Sequence, residues 1–220
     1  MIVEGAKMFS LLLSLRKKIT WAVSGNIVFA LSQWAILTVL ARLGTATDLG
    51  QYSLALALTA PVILFFNFNL RALLATDSVN QYTFSQYFSS RVFHMFIAIL
   101  IILIIAVMYS ADIMFIIILV GLIKFIESLS DICLGFFQKK GKLDLIGKSQ
   151  FLRGVYSATV FFVTFYFTRQ LIISLMFLLI IVVLRLIYFD IKKIKKLTVI
   201  SLKINWISVE LGSDITISNY

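Results

Sequence analysis

Lys124, Glu127 and Asp131 stand inside a stretch, residues 113–137, that is otherwise almost wholly Ile, Leu, Phe and Val. One ammonium and two carboxylates at i,i+3 and i,i+4 spacing can form a salt-bridged cluster, exchange a proton or small cation, or hold a polar ligand. At about 100° per residue, Gly121, Lys124, Glu127, Ser128, Asp131, Gly135 and Gln138 fall within an arc about 120° wide, and every position of that arc from 121 to 138 is polar or glycine. Three charges near the centre of a membrane helix cost roughly 8–10 kcal/mol. The sixteen Ile, Leu, Val and Phe residues of the stretch return about 5–10 kcal/mol on the same scale. Insertion is near balance, so the stripe is expected to face a partner helix or a water-filled cavity. Two readings stay open: a structural ion pair that locks helices together, or the wall of a polar cavity with an ion- or proton-coupling site. Two acids beside one base also leave a surplus carboxylate.

Other segments offer groups that could face the stripe. Asn26 and Gln33 lie a heptad apart, Asn67 and Arg71 are at i,i+4, and Arg153, Tyr156 and Thr164 share an arc with Ser149 one turn before Arg153. Arginines suit phosphate recognition through a planar, permanently charged fork. Arg71, Arg91 and Arg153 either line such a cavity or snorkel at a membrane boundary. The candidate cavity set is therefore Asn26, Gln33, Asn67, Arg71, Lys124, Glu127, Ser128, Asp131, Arg153 and Tyr156.

These residues need helices to position them. The chain is 61% hydrophobic with a mean hydropathy of +1.02, far above a soluble domain, and the apolar residues come in long runs. Six spans are expected, at 19–40, 51–70, 91–108, 113–137, 154–167 and 171–189, the fifth short unless it begins near Phe151. Period-2 alternation is absent, so the spans are helices rather than barrel strands. The fold class is an all-α, polytopic six-helix membrane bundle. Residues 1–18 read as a cytoplasmic or interfacial N-terminus, with an interfacial turn at 9–15. Residues 19–189 form the lobe. Residues 190–220, with Glu210 and Asp214, read as a basic tail or an incomplete seventh helix. Pro61 should kink the second helix near its middle. The connections at 71–90 and 138–152 read as the longer ones, and those on the opposite side as very short.

The net charge of +10 is distributed by side. Sixteen of twenty Lys/Arg fall on one side of an even-numbered topology: Lys7, Arg16, Lys17 and Lys18; Arg71 and Arg91; Lys139, Lys140, Lys142, Lys148 and Arg153; Lys192, Lys193, Lys195, Lys196 and Lys203. Arg42 and Arg169 lie on the other side, with Lys124 and Arg185 inside spans. The positive-inside rule then puts both termini in the cytoplasm and makes anionic lipid, not nucleic acid, the expected contact of the basic tracts. No cleavable signal peptide is evident. One cysteine, Cys133, and one histidine, His94, leave no disulfide, zinc, haem or iron–sulfur site, and no cofactor is expected. His94 reads as an interface residue, and Trp21, Trp34 and Tyr52 as belt or packing aromatics. Gly-rich phosphate loops, nucleophile elbows and acidic loop pairs are missing, so an enzyme is not expected.

Several short motifs together resemble the oligosaccharide flippases, the Wzx-type O-antigen and capsule transporters also called polysaccharide biosynthesis proteins. They are Gly25-Asn26, Trp34, Leu40-Ala41-Arg42-Leu43-Gly44, Asp48-Leu49-Gly50-Gln51-Tyr52-Ser53-Leu54-Ala55-Leu56-Ala57, Ala60-Pro61-Val62, Asn69-Leu70-Arg71, Ala75-Thr76-Asp77, Lys124-Phe125-Ile126-Glu127-Ser128, Asp131-Ile132, Gly135-Phe136-Phe137-Gln138-Lys139, Ser149 and Arg153-Gly154. That family belongs to the multidrug/oligosaccharidyl-lipid/polysaccharide superfamily, whose members have about twelve to fourteen helices in two lobes. The resemblance implies that this chain corresponds to the N-terminal lobe. It also implies translocation of undecaprenyl-diphosphate-linked oligosaccharide across a bacterial inner membrane for O-antigen (lipopolysaccharide) or capsule biosynthesis, by alternating access driven by an ion gradient. A cavity lined by Lys124, Glu127, Asp131 and Arg153, with Arg71 and Arg153 as diphosphate candidates at its mouth, fits that implication. A second lobe or a homodimer would complete the site. A drug or metabolite exporter of the same superfamily, a non-transporting structural subunit and an intramembrane polymerase are the other readings.

Overall fold

A chain with helical apolar periodicity and a single proline has little alternative to helix in lipid, where every backbone N–H and C=O needs an internal partner. The computed structural model describes residues 2–198, with side chains from Arg16 onward except Lys17; no strand occurs among the described residues. The elements are α1 (Ile2–Leu43), α2 (Ala46–Phe66), α3 (Leu70–Thr76), α4 (Phe84–Val107), α5 (Ala111–Lys139), α6 (Leu143–Thr168), α7 (Leu171–Arg185), a π-helical segment (Leu186–Ile191) and α8 (Lys192–Lys195). Among the described residues, six stretches are long and apolar enough to cross a membrane: Lys18–Leu43, Ala46–Thr76, Phe84–Val107, Ala111–Lys139, Leu143–Thr168 and Leu171–Lys195. Residues 199–220, including Lys203, Glu210 and Asp214, and the side chains of residues 7 and 9–15 lie outside the described residues.

Helix starts follow local chemistry. Thr45 and Asp48 form a reciprocal capping box at α2, and Thr83 and Gln86 do the same at α4. At the other end of α1, Arg169 reaches across from the α6–α7 turn and donates to the Leu43 carbonyl at 2.6 Å, satisfying one orphan acceptor of that terminus.

Two expected boundaries differ from the structure. The connection expected at 138–152 is a turn at 140–142, and α6 begins at Leu143. Its first turns are polar in sequence because they are buried against polar partners: Ser149 is 0% and Gln150 6% exposed. Part of the expected 71–90 connection is likewise helical, in α3 and the first turns of α4. α2 and α3 follow one another in a single span, Ala46–Thr76, which breaks at 67–69, past Pro61, where Phe68 and Asn69 take left-handed φ values of 42° and 49°. The last helix passes the boundary expected at 189 and runs through the π segment into α8.

α5 is the central helix, packed by α2, α3, α4, α6, α7 and the π segment. α1 lies mainly against α6 and touches α2 only slightly. The α1–α6 seam is backbone on backbone: a Cβ on Gly25 would overlap the Gly147 backbone, and one on Gly147 would overlap Trp21 and Ala22. One apolar cluster (Ile36, Leu40, Met95, Ile117, Phe161 and Leu175 among others) joins the six long helices. A second, around Leu74, Phe84, Phe136, Phe137 and Ile194, closes the end that carries the lysines.

Candidate functional site

The polar stripe of α5 divides into two sites, with a third network beside them. Toward the middle of the bundle, Lys124 Nζ donates to Glu127 Oε2 at 2.9 Å, the side chains being 23% and 11% exposed. Gln33 of α1, Tyr52 and Leu56 of α2, Ser157 of α6 and Leu178 of α7 surround the pair around a space of about 10 Å³, room for about one water. Arg153 of α6, 4% exposed, donates from Nη2 to the Glu127 carbonyl at 3.1 Å and stacks on Phe29 at 4.8 Å. It is held at the α1–α5–α6 contact, not at an open mouth.

One turn on, the stripe opens into a groove of about 510 Å³ lined by Asn67, Asn69, Arg71, Arg91, Asp131 and Gln138, with Leu64 and Ala72. Arg71 Nη1 meets Asp131 Oδ1 at 2.7 Å, both side chains about one-third exposed. The carboxylate that looked surplus in the sequence therefore has its partner on α3. Asn67 Oδ1 accepts from Arg91 Nη1 and from Ser128 Oγ, the latter at 2.7 Å. Arg91 is 1% exposed, so it turns inward instead of snorkelling, and its Nε has no partner. The left-handed pair Phe68–Asn69 sits at this lip. Such backbone costs about 1–3 kcal/mol per residue and concentrates where a site needs it. His94 packs against Phe68, the ring centroids 4.7 Å apart and the planes tilted by 49°.

The third network is closed to solvent. Arg185 Nη2 and Asp190 Oδ2 are 3.0 Å apart, at 2% and 0% side-chain exposure. Ser130 and Ser149 donate to the two Asp190 oxygens at 2.5 and 2.7 Å, and Arg185 donates to both hydroxyls at 2.6 and 2.8 Å. In an α-helix residues five apart diverge by about 140°; the wider π turn at Leu186–Ile191 lets Asp190 return to Arg185. Sequence reasoning missed Asp190, which followed the last apolar run and looked like a tail residue. The signal available was the i,i+5 opposite-charge pair.

The structure brings Gln33 to Lys124 and Glu127, and Asn67 and Arg71 to Ser128 and Asp131. Asn26 is exposed and accepts from Gln150 at 3.2 Å, apart from both sites. Tyr156 is 45% exposed on the outer surface; Ser157, one residue on, lines the inner space in its place. Thr164 bonds back to Val160 within its own helix.

With that geometry in view, similarity to known proteins adds one match. Over 164 residues the chain is 30% identical to a capsular polysaccharide biosynthesis protein, CapF, of Staphylococcus aureus; the match covers 74% of this chain and 41% of that protein. The chain thus spans less than half the length of the curated relative it matches. No protein-family model matches it, and no solved structure does.

Chemically, the groove offers two guanidiniums against one carboxylate, with three carboxamides around them. That donor-rich set suits an anion or a polyhydroxylated ligand. The inner pair, nearly dry and beside one water-sized space, suits a single proton or small cation instead.

Proposed function

We propose that this chain is a six-helix lobe of a transporter that moves undecaprenyl-diphosphate-linked oligosaccharide across the bacterial plasma membrane during capsule or O-antigen polysaccharide biosynthesis. Both termini then lie in the cytoplasm, where the Lys/Arg asymmetry puts them. The observation that carries the reading is the groove of Arg71, Arg91, Asn67, Asn69, Asp131 and Gln138 inside a membrane-crossing bundle. The similarity to a capsular polysaccharide biosynthesis protein supports it. Arg71 and Arg91 would receive the diphosphate, the carboxamides would meet sugar hydroxyls, and the Lys124–Glu127 pair would couple transport to an ion gradient. A second lobe, from another polypeptide or a second copy, completes the cavity for alternating access.

Binding by the purified chain tests this without requiring turnover. Undecaprenyl-diphosphate-linked oligosaccharide should bind at least tenfold more tightly than the same glycolipid without phosphate. Arg71→Gln should weaken that preference. Asp131→Asn removes the carboxylate that competes for Arg71 and should strengthen it. Equal affinity for both glycolipids, unchanged in the two variants, would overturn the diphosphate assignment.

A further inference from the structure

Four lysines from distant parts of the chain converge on a second hollow that the transport reading does not use. Lys18 at the start of the first span, Lys142 in the α5–α6 turn, Lys193 in the last turn of the last span and Lys196 just past it line a pocket of about 430 Å³ with Gly141, Asp144, Leu145 and Leu197. That volume lies within the roughly 300–1,000 Å³ of small-ligand sites. Asp144 is the one carboxylate among the described lining residues, and it also faces Lys148 at 4.0 Å. The N-terminus of the 26-residue helix α6 opens here, and its N-cap, Lys142, makes no side-chain capping bond. First-turn amides and the positive end of the helix dipole therefore add to the ammonium groups. Gly141, at φ +65° with nothing within 4 Å of a Cβ position, makes the tight turn and leaves the rim as bare backbone.

We propose that this pocket seats the phosphate group of an anionic membrane phospholipid. The four lysines carry the charge recognition. The end of the bundle at which Lys18, Lys142 and Lys193 emerge from their spans is where headgroups lie. Leu145 and Leu197 supply apolar lining that a lipid uses and a free phosphate ion does not. The bound lipid ties α1, the α5–α6 turn and α8 together, elements separate from those of the α2–α5 groove.

Native mass spectrometry of the full chain, titrated with phosphatidylglycerol, phosphatidylcholine or inorganic phosphate, tests the assignment by binding alone, so failure of the transport reading would leave the result intact. Phosphatidylglycerol should be retained in preference to phosphatidylcholine. Each pocket lysine should be worth about fivefold in affinity, and K142Q/K193Q/K196Q should lose on the order of a hundredfold. The charge-matched control K140Q/K192Q/K195Q removes exposed lysines outside the pocket and should change retention by no more than a few-fold. Equal loss in the two triple variants would reduce the effect to net charge and overturn the proposal, as would equal retention of phosphatidylcholine. Saturable binding of millimolar inorganic phosphate that displaces phosphatidylglycerol would assign the pocket to a soluble ion and overturn the lipid source. If the pocket triple variant fails to fold, the single variants K142Q and K193Q carry the test, with no loss in either overturning it.

Discussion

Inside the bundle Glu127 has Lys124 2.9 Å away, and Arg185, Ser130 and Ser149 close around Asp190. Removing one member of a buried pair strands the other, at about 3 kcal/mol or more, whereas removing both is far milder. Lys124→Met should therefore destabilise the detergent-solubilised protein more than Lys124→Met with Glu127→Gln, as read from thermal unfolding. Asp77 shows the same physics at the membrane surface. Burial acts to raise its carboxyl pKa, but Lys139 at 3.0 Å and the amides of Gln81 and Tyr82 outweigh this and hold it below the usual carboxylate value. A depressed folded-state pKa gives stability that is present above the unfolded value of about 4 and lost as pH falls through the folded value. The 77–83 connection should loosen below about pH 4, seen as faster proteolysis between residues 78 and 82. Asp77→Asn should cleave rapidly at neutral pH and show no further acid dependence.

At the scale of elements, the α1–α6 seam depends on glycines that let backbones touch. Gly147→Leu should separate the two helices at a cost of about 3 kcal/mol or more, and it should abolish disulfide crosslinking between cysteines placed at residues 22 and 146. The early start of α6 is open to the same kind of probe. Single cysteines across 143–154 should show helical protection from a hydrophilic maleimide, with 146, 149, 150 and 153 protected and 148 and 151 labelled. Uniform labelling through 152 would restore the loop that hydropathy suggests. Hydropathy misplaces this helix because it scores Ser149, Gln150 and Arg153 as if they faced water. Their partners Asp190, Asn26 and Phe29 lie 41, 124 and 124 residues away, beyond the reach of any window.

For the whole molecule, topology and completeness are the measurable claims. Reporter fusions after Thr45, Ala111 and Arg169 should lie outside, and fusions after Asn80 and Lys142 inside; a phosphatase-active fusion at Lys142 would rule out the six-span arrangement. On the proposed transport reading, residues 1–220 alone should not restore polysaccharide export to a strain lacking a flippase, because alternating access needs two lobes about a shared site. Restoration by a protein that is strictly monomeric in mild detergent would contradict this.

Composition and periodicity settle the number and type of the helices, since a continuous apolar run of sufficient length has no other stable form in lipid. The stripe on α5 was legible for the same local reason: its seven positions share one helical face. Which charge meets which was not legible. Asp131 stands one turn from Glu127 and two from Lys124 on its own helix, and its partner is Arg71, because a Cβ-free Gly135 lets the α3 backbone come close, within 2.9 Å of where that Cβ would stand. Arg91 and Asp190 read as boundary and tail charges, and Arg185 as a charge within a span without a named partner, until the tertiary fold buried all three. A charged residue near the end of an apolar run is the same sequence signal whether it snorkels to water or finds a buried partner; only the helices packed against it decide between the two.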